Sequence, residues 1–222
     1  MRLFVKLCGI RNEVDLEAAV EAGADAVGFV LTASPRQISL PQAAGLRRLL
    51  PDHVLAVAVF HDPTPELLRQ ADEEVAPDLF QSETSTLVGV PPARMLPVVV
   101  DGDDLGRDIE LALGISSGEM ILVDSAARGG TGRASDWDRL SGLATPAKMI
   151  LAGGLNPENV GEAVSTVRPF GVDVSSGVER SPGEKDPGRM QAFVAAARSA
   201  TLAPEGGSVP AGFSPRRGGG GA

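Results

Sequence analysis

Short apolar runs alternate with amphipathic stretches along most of the chain. The runs are Leu3–Cys8, Ala26–Leu31, Val54–Phe60, Asp78–Gln81, Met95–Val100, Met120–Asp124, Lys148–Ala152 and Gly171–Ser175. They are rich in Val, Ile and Leu and bounded by Gly, Pro, Asp or Ser, the pattern of strands covered on both faces. The stretches between them carry helix signals with readable starts. Asn12 is placed to cap a helix with Asp15 in its first turn, and Ser39 precedes Pro41, Leu46 and Leu49. Thr64-Pro65 leads into Leu67, Leu68, Ala71 and Val75. Asn156-Pro157 reads as a cap followed by Pro at the first helical position, with Val160, Ala163, Val164 and Val167 recurring at helical spacing. Asp186-Pro187 repeats the device ahead of Met190, Phe193, Val194 and Ala197. The weakest unit is Ser82–Arg94, where Pro91-Pro92 breaks any helix early.

Strict β/α alternation predicts a parallel sheet. Eight such units over residues 1–200 fit one closed (β/α)8 barrel, an α/β TIM-barrel fold. An open doubly wound sheet is the alternative, but no GxGxxG opens the chain and the last unit is as well formed as the first. Residues 201–222, with seven Gly and three Pro, read as a flexible tail.

Composition narrows the setting. With 20 Lys+Arg against 29 Asp+Glu, the net charge of −9 argues against non-specific binding of nucleic acid or an anionic membrane. No apolar run reaches the ~18 residues of a membrane span. Cys8 is the one cysteine, so an internal disulfide is impossible and a reducing, cytoplasmic setting is expected. No HxH, HExxH or CxxC spacing occurs, so no metal site is expected. Monomer and homodimer both fit the sequence.

In a barrel of this type the chemistry gathers where the strands end. Cys8 shares a strand face with Phe4 and Lys6. It reads either as a small buried hydrophobe or as a thiolate base at the barrel mouth, ionised with help from the helix after Asn12 or from Arg36. Asp124 closes the apolar run MILVD, as a general acid at a partly dry rim or as a loop-stabilising carboxylate. Gly153-Gly154 and Ser175-Ser176-Gly177 follow the seventh and eighth strands, where exposed backbone N–H groups and hydroxyls suit a phosphate; ordinary tight turns are the plainer account. Gly129–Gly132 reads as a flap or a plain loop. Gln81 and Asp173 are candidates for substrate contact, although Asp173 also suits an internal ion pair with Lys6 across the seam between the last strand and the first. An acid on one side of the phosphate loops and a thiol on the other suits proton transfer on a small sugar phosphate.

These residues sit in segments that resemble the phosphoribosylanthranilate isomerase family: VKLCGIRN (5–12), GADAVGFVLTASPRQIS (23–39), LVDSAARGGTGRASDW (122–137), ILAGGLNPENV (150–160) and GVDVSSGVERSPGEKD (171–186). The resemblance implies a (β/α)8 barrel without a cofactor, and an Amadori rearrangement of N-(5′-phosphoribosyl)anthranilate in tryptophan biosynthesis. It implies Cys8 as general base at C2′, Asp124 as general acid at the furanose oxygen, and Arg36 at the anthranilate end. Phosphate would lie at Gly154, Ser176 and Gly177. One segment departs: where the family reads QLHG, this chain reads Gln81-Ser82-Glu83-Thr84. A related barrel isomerase acting on another phosphoribosylated amine, or a barrel that binds phosphate without chemistry, are the rival readings.

Overall fold

The computed structural model describes residues 2–116, 120–125, 137–141, 143 and 147–200. The tail expected over 201–222 and the flap expected at Gly129–Gly132 lie outside those residues.

Eight parallel strands close on one another in chain order: β1 (Phe4–Cys8), β2 (Ala26–Val30), β3 (Leu55–Val59), β4 (Leu79–Glu83), β5 (Met95–Val100), β6 (Met120–Asp124), β7 (Lys148–Ala152) and β8 (Gly171–Val174). Closure is made by β8 against β1, where Lys6 is in register with Asp173. Outside lie α1 (Glu13–Ala22), α2 (Leu40–Leu49), α3 (Pro65–Glu74), α4 (Leu105–Ile115), α5 (Trp137–Ser141), α6 (Val160–Val167) and α7 (Pro187–Ala200). This is the (β/α)8 barrel expected from the alternation.

Strand pleating divides the apolar side chains into two cores. One points inward: Ala26, Val57, Leu79, Leu96, Leu122 and Ile150 fill the barrel. The other points outward, as in Ala56 and Ala58 of β3, and packs beneath the helices. At the N-terminal end of the barrel Phe4 stacks on Phe170 with ring centroids 5.6 Å apart, and the Lys148 ammonium lies over the Phe170 ring. That end is plugged, so the open end is the one where the strands finish.

The caps act much as their sequence suggests. The Asn12 side chain accepts from the Asp15 N–H, and Ser39 with Gln42 forms a capping box. Asp186 accepts from the Arg189 N–H at the start of α7. Two local readings change. Asn156 does not begin α6; its side chain accepts from the N–H groups of Glu158 and Asn159, and the helix starts at Val160. The Asn–Pro step folds as a turn, which delays the helix by one turn. After β4 there is no α-helix: β4 runs on to Glu83, and two 3₁₀ turns (Thr84–Thr86, Pro92–Arg94) bridge to β5. The two prolines leave no room for a longer helix. The loop after β8 also holds an element that was not among those expected, a hairpin of β9 (Glu179–Ser181) with β10 (Glu184–Lys185).

Candidate functional site

The open mouth is ringed by the last inward-facing residues of the strands. Cys8 ends β1, 6% exposed, in register with Gly28 of β2. A Cβ at residue 28 would lie 2.8 Å from Cys8 Sγ and 3.2 Å from Val59 Cγ2. Gly28 thus opens the space that the thiol occupies. Asp124 ends β6, half-buried, in register with Val100 and Ala152. Only β7 and β8 separate Asp124 from Cys8 on that side of the ring.

The loops after those two strands meet. Gly153 and Gly154 both take left-handed backbone, φ +95° and +65°, which only glycine adopts freely. No atom lies within 4 Å of the position a Gly154 Cβ would take. Ser176 and Gly177 open a 3₁₀ turn, and a Cβ on Gly177 would run into the Leu155 carbonyl. Arg189 of α7 fastens both loops, donating to the Gly177 carbonyl and pairing with Glu158.

Beneath the mouth the charges are arranged in two chains. Lys6, one pleat below Cys8 and fully buried, donates from Nζ to Asp173 Oδ1 at 2.8 Å. Asp173 is therefore the partner of Lys6 first; any contact with a substrate would come from its remaining oxygen capacity. The second chain starts at Arg36, whose Nε and Nη2 donate to the two oxygens of Glu179 at 2.7 and 2.8 Å. Lys185 Nζ donates to Glu179 Oε1 at 2.8 Å and to the Ser175 carbonyl at 2.9 Å. The Ser175 hydroxyl in turn donates to the Cys8 carbonyl. A continuous hydrogen-bonded path links the loop after β2 to the backbone of the thiol.

These charges set the ionisation of the site. Burial pushes the Cys8 thiol up from its ordinary value, and Lys6 and Lys185 pull it back only partly. Burial opposes charge on Lys6, yet Asp173 and Cys8 outweigh it and hold the ammonium above its ordinary value. Burial would raise Glu179, but the hydrogen bonds from Arg36 and Lys185 hold it below. Lys185 is lowered by burial despite Glu179. Two buried lysines, Lys6 and Lys185, thus add positive potential at Cys8.

Gln81, 7% exposed, follows the inward alternation of Leu79, and its Oε1 has no hydrogen-bond partner among the described residues. An unpaired buried amide oxygen costs about 1–3 kcal/mol. Facing the mouth, it is suited to accept from a bound molecule.

Sequence reasoning brought Cys8, Asp124, Arg36, Gln81, Asp173 and the two Gly/Ser loops to one end of the barrel, and the structure has them there. It missed Glu179, Lys185 and Gly28. A signal existed for the first two: Pro182-Gly183 between two polar pairs reads as a hairpin turn. A glycine inside an apolar strand likewise marks close approach.

A family profile described as N-(5′-phosphoribosyl)anthranilate (PRA) isomerase matches residues 5–196. The chain belongs to this family. It is 42% identical over 215 residues to the N-(5′-phosphoribosyl)anthranilate isomerase of Haloferax volcanii, covering 88% of this chain and 93% of that one. The crystal structure of phosphoribosyl anthranilate isomerase from Thermotoga maritima superposes with a TM-score of 0.75 at 34% identity, over 89% of this chain and 99% of that one. A further family structure, in complex with reduced 1-(o-carboxyphenylamino)-1-deoxyribulose 5-phosphate, gives 0.71 at 34% identity over the same shares.

Proposed function

We propose that this chain is a phosphoribosylanthranilate isomerase of tryptophan biosynthesis, converting N-(5′-phosphoribosyl)anthranilate to 1-(2-carboxyphenylamino)-1-deoxyribulose 5-phosphate by general acid–base catalysis. The observation that carries the mechanism is the ring order. Asp124 and Cys8 flank the two strands whose glycine- and serine-bearing loops suit a phosphate.

Asp124 donates a proton to the furanose ring oxygen as the C1′–O bond breaks, leaving an open-chain iminium. The iminium acidifies the C2′–H, and the Cys8 thiolate removes that proton. The electron pair forms the C1′–C2′ enolamine, which tautomerises to the 2′-ketone as C1′ is protonated. C1′ is reduced and C2′ oxidised within one molecule, so no external oxidant or reductant enters and no cofactor is required. Both enzyme steps are proton transfers by positioned groups. Phosphate held at Gly153, Gly154, Ser175, Ser176 and Gly177 orients the reacting carbon from a distance. The Arg36 guanidinium, fixed by Glu179, faces the carboxylate of the anthranilate end, and Gln81 accepts from the substrate.

The test is a fluorescence assay on purified protein, with phosphoribosylanthranilate generated in place and its loss followed. Accelerated loss is expected. No acceleration, with turnover of a different phosphoribosylated amine, would overturn the substrate; binding without any product would overturn catalysis.

A further inference from the structure

A buried lysine at the centre of a barrel is expensive. Taking an ammonium and a carboxylate out of water costs several kcal/mol per ion, and a well-packed apolar pair in their place is often at least as stable. The inward layer around Lys6 is otherwise apolar, made of Ala26, Val57, Leu79, Leu96, Leu122 and Ile150. Packing alone therefore gives no reason for a charge at this point. Geometry supplies one. Lys6 and Cys8 are two residues apart on β1, so both side chains enter the barrel on one face, about 7 Å apart along the strand. The ammonium that donates to Asp173 stands on the same inward face as the thiol, and its charge favours the ionised form of Cys8. Asp173 stands across the β1–β8 seam in register with Lys6, so the cation is anchored from the side.

Among the described residues, the charges that act on the thiol include Lys6 from its own strand, Asp173 from β8, Lys185 from β10 and Arg36 from the loop after β2. Gly28 brings no side chain from β2. Lys185 and Arg36 both share the carboxylate of Glu179. Lys6 favours ionisation of the thiol and Asp173 opposes it.

We propose that Lys6 is a positioning residue whose ammonium, anchored on Asp173, stabilises the Cys8 side chain as the thiolate. The two members of the buried pair then act in opposite senses. Lys6 favours the anion, and Asp173 holds Lys6 in place while restraining how far its charge is felt. The inference rests on the reading of Cys8 as base, but its test does not.

The chain has one cysteine and no tyrosine, so the ultraviolet absorbance of the thiolate reports Cys8 without interference. Wild type, Lys6→Gln and Asp173→Asn are titrated against Cys8→Ser as blank. In Lys6→Gln the midpoint is expected to rise by about one pH unit or more, and in Asp173→Asn to fall by a similar amount. A Lys6→Gln midpoint equal to wild type, or shifts of the same sign in both variants, would overturn the proposal. Should Lys6→Gln not fold, Asp173→Asn decides alone, since an unchanged or raised midpoint there has the same consequence. Turnover by Cys8→Ser tests the base role separately, so failure of one idea is distinguishable from failure of the other.

Discussion

Arg36 and Glu179, 143 residues apart in the chain, are joined by two parallel hydrogen bonds of 2.7 and 2.8 Å. This fork ties the loop after β2 to the hairpin after β8 and fixes the guanidinium at the mouth. Arginine matches a carboxylate in this way because its N–H groups form a rigid planar fork. The carboxylate is also the counter-ion of buried Lys185.

Glu179→Gln should release Arg36 and raise KM more than it lowers kcat, as steady-state kinetics will read. Glu179→Ala should destabilise the fold by about 3–5 kcal/mol in denaturant unfolding, because Lys185 is left buried without a carboxylate.

The same residue predicts a pH dependence. Glu179 is held below its ordinary value of 4.5, so its contribution to stability is complete above that pH and is lost as pH falls through the lower folded value. Melting temperatures on either side of pH 4.5 should therefore drop more in wild type than in Glu179→Gln. Equal drops would contradict the assignment.

Cys8→Ala and Asp124→Asn should each cost about 10²–10⁴ in kcat while circular dichroism stays that of the wild type. The double variant should lose little more than the worse single one, since the two transfers serve one reaction. Near-wild-type turnover in either single variant would remove that residue from its role.

Gly28→Ala places a methyl 2.8 Å from Cys8 Sγ. Overpacking of this kind costs about 1–3 kcal/mol. Because the clash is with the thiol, kcat should fall at least tenfold while the protein remains folded, with melting temperature measured alongside.

Glu83 ends β4 on the alternation of Leu79 and Gln81. Two like charges about 4 Å apart in water repel by roughly 1 kcal/mol. If the substrate carboxylate lies near this position, Glu83→Gln should lower KM about fivefold, a change that kinetics will show and that a remote Glu83 would not produce.

The strand and helix positions were legible in the sequence because periodicity and capping are local. An apolar run with a Val-rich pattern becomes a strand whatever lies opposite, and Asn12, Ser39 and Thr64 cap through bonds to their own neighbours. Residues that end strands were legible for the same reason, since closure of a barrel brings all strand ends to one rim. The turn at Asn156 was misread because an Asn–Pro step allows more than one local outcome, whereas the unit after β4, the weakest helix signal in the chain, forms only 3₁₀ turns.

Pairings between distant segments were decided by the tertiary structure. The polar stretch GVERSPGEKD looks solvated until the hairpin folds it under the mouth and buries Lys185 against Glu179 and the Ser175 carbonyl. Gly28 looks like a gap in a strand until the register sets it against Cys8. Sequence determined which residues reach the rim, because alternation and strand ends are properties of the chain itself. Which charges neutralise one another there was decided only when β8 closed on β1, because a Coulomb pair depends on distance in space and not along the chain.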